Sequence, residues 1–255
     1  MTLTIDINCD MGESFGAYTL GMDEMVIRHI SSANIACGFH AGDPQVMRKT
    51  VQLALKHGVA VGAHPGFPDL AGFGRRNMQC SLEEIQDYVT YQVGALQAFC
   101  RAEGGWLHHV KPHGALYNMA AKNPDMVQAI ARAIHALDPE LPLVVLAGPN
   151  AEALRAAAAE EGVQVILEAF PDRAYDADGA LRSRNLPGAV IHDTALAAAR
   201  ALSMVQQGMI EAHDGSKVAM QVRSLCVHGD NPNTVALAAT IRERLEAAGV
   251  TIAAA

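Results

Sequence analysis

The 255-residue sequence predicts an α/β fold, a (β/α) barrel with about seven parallel strands, and three observations carry that prediction. Short apolar runs alternate with segments of helical periodicity, the pattern of parallel strands joined by right-handed crossovers. The helical segments carry start and stop residues at their ends. Almost every apolar run finishes in a cluster of polar residues, as barrel strands do at the face where an active site is built.

The apolar runs lie at 3–9, 32–37, 59–63, 107–110, 143–147, 163–167 and 224–227. Helical segments fall at 44–56, 82–103, 124–137 and 151–161, and a last one at 233–248 follows the final strand. Asp43-Pro44 and Asn123-Pro124 each set a capping side chain before a proline at the first helical position. Ser81 and Glu84 have the spacing of a capping box, and Asn150 and Asn233 are also suited to caps. Gly58, Gly104, Gly162 and Gly249 stand where helices end in a left-handed residue. No GxGxxG follows the first strand, which weighs against an open dinucleotide-binding sheet. No composition break divides the chain, so residues 1–255 read as one domain. The exception to the alternation is 170–217, read as a long loop insertion near the barrel mouth. It carries a helix at 194–207 and a hairpin turn at His213-Asp214-Gly215-Ser216.

Composition narrows the function. Half the residues are hydrophobic and 18% are charged, enough for a substantial and mainly aliphatic core. The net charge of −8 argues against nucleic acid and anionic membranes as partners. The five cysteines form no CxxC pair, which argues against a secreted disulfide framework. No signal-like N-terminus or apolar run of spanning length is present, so the expected location is cytoplasmic.

The clusters at the strand ends carry the chemistry. They comprise Asp6–Glu13, 37–43, 63–69, 110–114, 168–173 and 226–231. Parallel strands point one way, so these ends converge on one rim. Asp10, His40, His64, Lys111, His113, Asp172 and His228 are expected around one cavity. Gly38, Gly42, Gly66, Gly114 and Gly229 flank them and allow close backbone approach. Asp43 and Asp230 also suit plain helix caps, and His29, His57, His108, His109 and His135 are set aside as core or surface residues. Imidazoles and carboxylates without a serine nucleophile elbow point to general acid/base chemistry or a metal. Asp10, His40 and His64, from the first three strands, make a two-imidazole, one-carboxylate set for a divalent metal. Lys111 suits an oxyanion or a substrate carboxylate, and Arg173 a bidentate carboxylate clamp. Burial among histidines is expected to lower the Lys111 pKa.

The strings DINCDMGE (6–13), NIACGFHAGD (34–43), GAHPGFPD (62–69), VKPHGALYN (110–118), EAFPDRAY (168–175) and CVHGDNP (226–232) closely resemble the LamB/YcsF family, and the likeness covers essentially the whole chain. The resemblance implies a barrel similar to that of the polysaccharide deacetylases, where a strand-one aspartate and later histidines hold a metal. The matching residues are Asp10, His40 and His64, with His113 as the alternate. It also implies ATP-dependent opening of 5-oxo-L-proline (pyroglutamate) to L-glutamate, with ADP and phosphate, by the A component of a complex with partner subunits B and C. Asp10, Glu13, Lys111, His113, Asp172 and His228 are then the expected catalytic residues; Asn8, His40, His64 and Arg173 the expected substrate-binding ones. No GxxxxGK[ST] loop is present, so ATP as cofactor rests on the resemblance and belongs in part or whole to the partners. The alternative reading is an autonomous metal-dependent deacetylase or amidohydrolase acting on a carbohydrate or small amide.

Overall fold

The computed structural model describes residues 3–183, 186–227 and 233–255. Seven parallel strands close into a barrel: β1 (Thr4–Met11), β2 (Ser32–Ala36), β3 (Ala60–His64), β4 (Leu107–Val110), β5 (Leu143–Leu146), β6 (Val165–Ala169) and β9 (Ser224–Val227), with β9 pairing back onto β1. A two-residue strand, β10 (Thr251–Ile252), also lies parallel to β1. The helices are α1 (Asp23–Val26), α2 (Pro44–His57), α3 (Leu82–Ala102), α4 (Gly114–Ala120), α5 (Pro124–Leu137), α6 (Ala151–Glu160), α7 (Thr194–Gln207) and α8 (Thr234–Ala247). Between β6 and β9 the chain makes α7 and an antiparallel pair, β7 (Met209–Glu211) and β8 (Lys217–Ala219).

Local chemistry sets the boundaries. Asp43 caps α2 by accepting from the amides of Gln45 and Val46, and also from Gly16 N. Ser81 and Glu84 form a reciprocal capping box on α3, and Asn123 caps α5. Asn150 stands at the start of α6 but donates to the Ala121 carbonyl, so it ties α6 to α4. Gly58 and Gly208 close α2 and α7 in the left-handed conformation.

The strands alternate by the two-residue period of an extended chain, with polarity the reverse of a simple core. Ile5, Ile7, Cys9 and Met11 of β1, Ala33 and Ile35 of β2, and their counterparts on the other strands pack outward onto the helices in one continuous core. The alternate positions face into the barrel. There Asp6, Asn8, Ser32, Asn34, His109, Glu168 and Ser224 are all buried and hydrogen-bonded to one another. A buried polar group without a partner costs about 1–3 kcal/mol, so such an interior is stable only because its network is closed. Among the described residues, no helix is long and apolar enough to cross a membrane.

Candidate active site

The carboxyl ends of β1, β3, β4 and β6 meet over the polar interior and floor a cleft of about 670 Å³. Lys111, just past β4, stands at its base. Its ammonium donates to Asp10 Oδ1 (2.9 Å), Asn8 Oδ1 (3.2 Å) and Cys226 Sγ (3.1 Å), and lies 3.0 Å from Glu168 Oε1. Burial alone would lower its pKa; the Asp10 and Glu168 carboxylates outweigh burial and raise it well above the ordinary lysine value. Burial pushes the Cys226 thiol up, so that group is a neutral neighbour. The expected fall of the Lys111 pKa is therefore reversed. Its neighbours are two carboxylates, an amide and a thiol rather than histidines, and Lys111 is a fixed cation.

Asp10 links this cation to the histidines. Its Oδ1 accepts from Lys111 and from Asn34 (2.9 Å), and its Oδ2 lies 3.4 Å from His64 Nε2. Above it, four donors gather, His64 at the end of β3 and Glu13, His40 and His113 from the segments after β1, β2 and β4, each buried, with one ligand-type atom apiece all within 4.8 Å of one another. The His40 and His113 rings stack at 3.6 Å between centroids, and His64 stands edge-on to both. His64 Nδ1 lies 2.7 Å from the Lys111 carbonyl, and His113 Nε2 lies 2.9 Å from the Phe73 carbonyl. A carbonyl only accepts, so each of those nitrogens carries the proton. The inner ring nitrogens, His64 Nε2 and His113 Nδ1, then face each other across 2.9 Å. Burial, with the neighbouring His64, holds the His113 pKa down to about 3, and burial with His113 and His64 lowers that of His40. Gly66 and Gly74 make room for the stack: a Cβ on either would press on the His40 ring or its Cβ.

The remaining expected residues sort by contact. Asn8 is buried inside the barrel. Its amide donates to Glu168 and Ser224 and its oxygen accepts from Asn34 and Lys111, which exhausts its hydrogen-bonding capacity inside the barrel. Arg173 lines the cleft, but its Nε and Nη2 donate to the carbonyls of Ala189 and Arg182. It fastens the inserted segment rather than presenting an open carboxylate clamp. Asp172 is buried away from the cleft lining, close enough to Tyr175 and Arg200 to shift both. Of the expected metal set, His40 and His64 gather with Glu13 and the alternate His113, while Asp10 Oδ1 accepts from Lys111 and Asn34 and its Oδ2 stays 3.4 Å from His64 Nε2. His228 lies outside the described residues, as does Asp230.

The sequence reading missed Asn34, His109, Glu168 and Tyr117. His109 Nε2 donates to Asn34 Oδ1 (2.7 Å) in the barrel interior, and the Tyr117 hydroxyl donates to Glu168 Oε2 (2.9 Å). A signal was present: Gly62 pairs with His109 across β3 and β4, and a glycine inside a strand marks a close neighbour.

One contrast bears on the ligand. Among the described residues, the cleft is lined by Arg75, Lys111, Lys122, Arg173 and Arg182 against a single carboxylate, Asp10. A chain of net charge −8 thus turns a cationic face into its mouth. A larger groove, about 910 Å³, lies at the opposite end of the barrel beside Trp106 and His108 and has no comparable convergence of donors.

Fold and site together define a seven-stranded (β/α) barrel with a polar interior and an acid–base or metal-type donor set at its mouth. The chain belongs to the LamB/YcsF family, whose profile matches residues 5–255. It is 55% identical over 251 residues to a Brevibacillus brevis protein named as the A subunit of 5-oxoprolinase, covering 98% of each chain. It is similar to the crystal structure of a lactam utilization protein from Thermus thermophilus, with a TM-score of 0.94 and 52% identity over 99% of this chain and 100% of that one. The catalytic domain of a peptidoglycan N-acetylglucosamine deacetylase from Eubacterium rectale shares the fold, with a TM-score of 0.51 at 11% identity over 100% of this chain and 89% of that one.

Proposed function

We propose that this protein opens the lactam ring of 5-oxo-L-proline to L-glutamate, coupled to ATP hydrolysis, as the A component of an assembly with subunits B and C. The observation that carries the reading is the cationic cleft over the ion pair of part-buried Asp10 with buried Lys111: it suits a small anionic substrate with a carbonyl to polarise. The names of the relatives, one a 5-oxoprolinase component and the other a lactam utilization protein, support the same substrate.

A five-membered lactam is a stable amide, so attack by water needs activation. In this reading the partner subunits transfer the ATP γ-phosphoryl group to the amide oxygen, giving ADP and an electrophilic ring carbon. Water adds to that carbon with Asp10 as general base. The carbon–nitrogen bond then breaks and the ring nitrogen takes a proton, leaving an acyl phosphate on the opened chain; a second water attacks that carbonyl and releases phosphate to give the glutamate carboxylate. The Lys111 ammonium, fixed by four acceptors, faces negative charge as it develops on oxygen. Arg75, Lys122 and Arg182 at the rim supply the charge that holds the substrate carboxylate and the transferred phosphoryl group. The deacetylase-like barrel implies a divalent ion; Glu13, His40, His64 and His113 are the residues suited to hold it, and such an ion would supply Lewis acidity at the cleft floor.

The test is glutamate release from 5-oxo-L-proline, with and without ATP and with and without the two partners. Release that needs all three supports the reading; release from the isolated chain without ATP overturns it. The four-donor cluster favours one alternative, an autonomous metal-dependent amidohydrolase, and that second outcome would identify it.

A further inference from the structure

We infer that Glu13, His40, His64 and His113 form a four-ligand seat for one divalent transition-metal ion, and that Asp10 stands beside it as the counter-ion of Lys111 rather than as a ligand. The inference needs no assumption about the substrate, and four observations carry it.

The first is spacing. A tetrahedral ion with bonds of about 2.0–2.1 Å holds its ligand atoms about 3.3–3.4 Å apart. Three of the six distances within the cluster are 2.9 Å from His113 Nδ1 to His64 Nε2, 3.5 Å from Glu13 Oε1 to His40 Nε2, and 3.6 Å from Glu13 Oε1 to His113 Nδ1, and all six fall within 4.8 Å. The three bracket the required edge.

The second is tautomer. The Lys111 and Phe73 carbonyls take the outer N–H groups of His64 and His113, which is how a protein orients imidazoles toward a metal. The inner nitrogens of the two rings are thereby turned toward each other at 2.9 Å, where one positive centre can be shared between them.

The third is His40. It is fully buried, and among the described residues neither ring nitrogen has a hydrogen-bond partner, Nε2 lying 3.5 Å from Glu13 Oε1. An idle buried imidazole is costly, and a ligand bond from Nε2 removes half of that cost. Stacking on His113 at 2° between ring planes brings that nitrogen onto the cluster rather than into an apolar pocket.

The fourth separates Asp10 from the set. Its Oδ1 is engaged by Lys111 and Asn34, and Asp10 is not one of the four residues whose donor atoms gather within 4.8 Å. A Lys111 ammonium bonded to Asp10 would face any ion that Asp10 ligated, and two cations sharing one carboxylate repel. Glu13, three residues further along the same polypeptide, supplies the anionic ligand instead. Three nitrogens and one oxygen select zinc, cobalt or nickel over magnesium or calcium.

The full chain is stripped with a chelator, desalted and titrated calorimetrically with ZnCl₂, CoCl₂ and MgCl₂, without substrate, ATP or partner. The expected result is one Zn²⁺ or Co²⁺ per chain, no comparable Mg²⁺ binding, a raised Tm, and the intense visible bands of four-coordinate cobalt. Glu13→Gln and His64→Ala are each expected to weaken Zn²⁺ binding at least about tenfold, whereas Asp10→Asn keeps the stoichiometry. Circular dichroism verifies the folding of each variant, and His113→Gln stands in for any that fails. Absence of stoichiometric Zn²⁺ or Co²⁺ binding by the wild-type chain would overturn the inference. So would loss of the ion in Asp10→Asn with retention in Glu13→Gln. Neither result touches the lactam reading, which is measured by glutamate release.

Discussion

At Lys111, burial and charge pull in opposite directions. Taking an ammonium out of water is costly, and the residue is tolerable only because two carboxylates, an amide oxygen and a sulfur surround it. Removing the cation leaves Asp10 and Glu168 buried without it. Lys111→Ala is therefore expected to destabilise the chain by about 3–5 kcal/mol in urea unfolding, well beyond a truncation on the surface. Asp23 gives the pH dependence at this scale. It accepts from Gly12 N beside Glu13, and burial raises its pKa to about 6 from 3.8. A carboxyl with a raised folded pKa favours the native state most at low pH, and that contribution is lost as the pH rises through 6. Asp23→Asn keeps an acceptor for Gly12 and carries no charge. Its Tm should exceed that of the wild type at pH 8, with the difference closing by pH 4; equal Tm values at pH 8 would contradict this account.

At the scale of elements, the alternation of strands shows what a sequence makes legible. All seven barrel strands and the five longest helices were readable to within two residues, because each has a clear apolar period and α2, α3, α5 and α7 also a side-chain cap. Short elements were not. Helix α1 follows Met22, which makes no side-chain cap bond, and β10 has only two residues. Helix α4 begins directly after the KPHG cluster, where polar residues mask its start. The convergence of Asp10, His40, His64, Lys111 and His113 followed from parallel strands. Which oxygen each nitrogen meets did not, because Glu13 reaches the histidines and Asp10 reaches Lys111 only through packing in three dimensions. The interior network was half visible in the alternate polar positions of β1, Asp6, Asn8 and Asp10. The β3–β4 pairing offers a test. A Cβ on Gly62 would overlap the His109 ring. Gly62→Ala is expected to cost about 1–3 kcal/mol by overpacking, and the Gly62→Ala, His109→Ala double variant to cost less than the sum of the single changes. Additive costs would show that the two do not meet.

At the scale of the whole molecule, charge is unevenly placed: the chain is acidic overall, yet its cleft is cationic. Rim charges act on encounter and binding, and salt screens them over about 10 Å at 0.1 M ionic strength. Raising NaCl is expected to increase KM for 5-oxo-L-proline while leaving kcat nearly unchanged; a KM indifferent to salt would remove the rim from the account. The Asp10–Lys111 pair, with Lys111 buried and Asp10 largely so, lies beneath the rim and is screened less.

The most direct measurement is kcat for glutamate release by the assembly of this chain with subunits B and C, comparing wild type with Asp10→Asn at matched folding. Loss of a positioned general base predicts a fall of about 10²–10⁴-fold with little change in KM. Wild-type turnover by Asp10→Asn would show that the barrel mouth is not where the ring is opened.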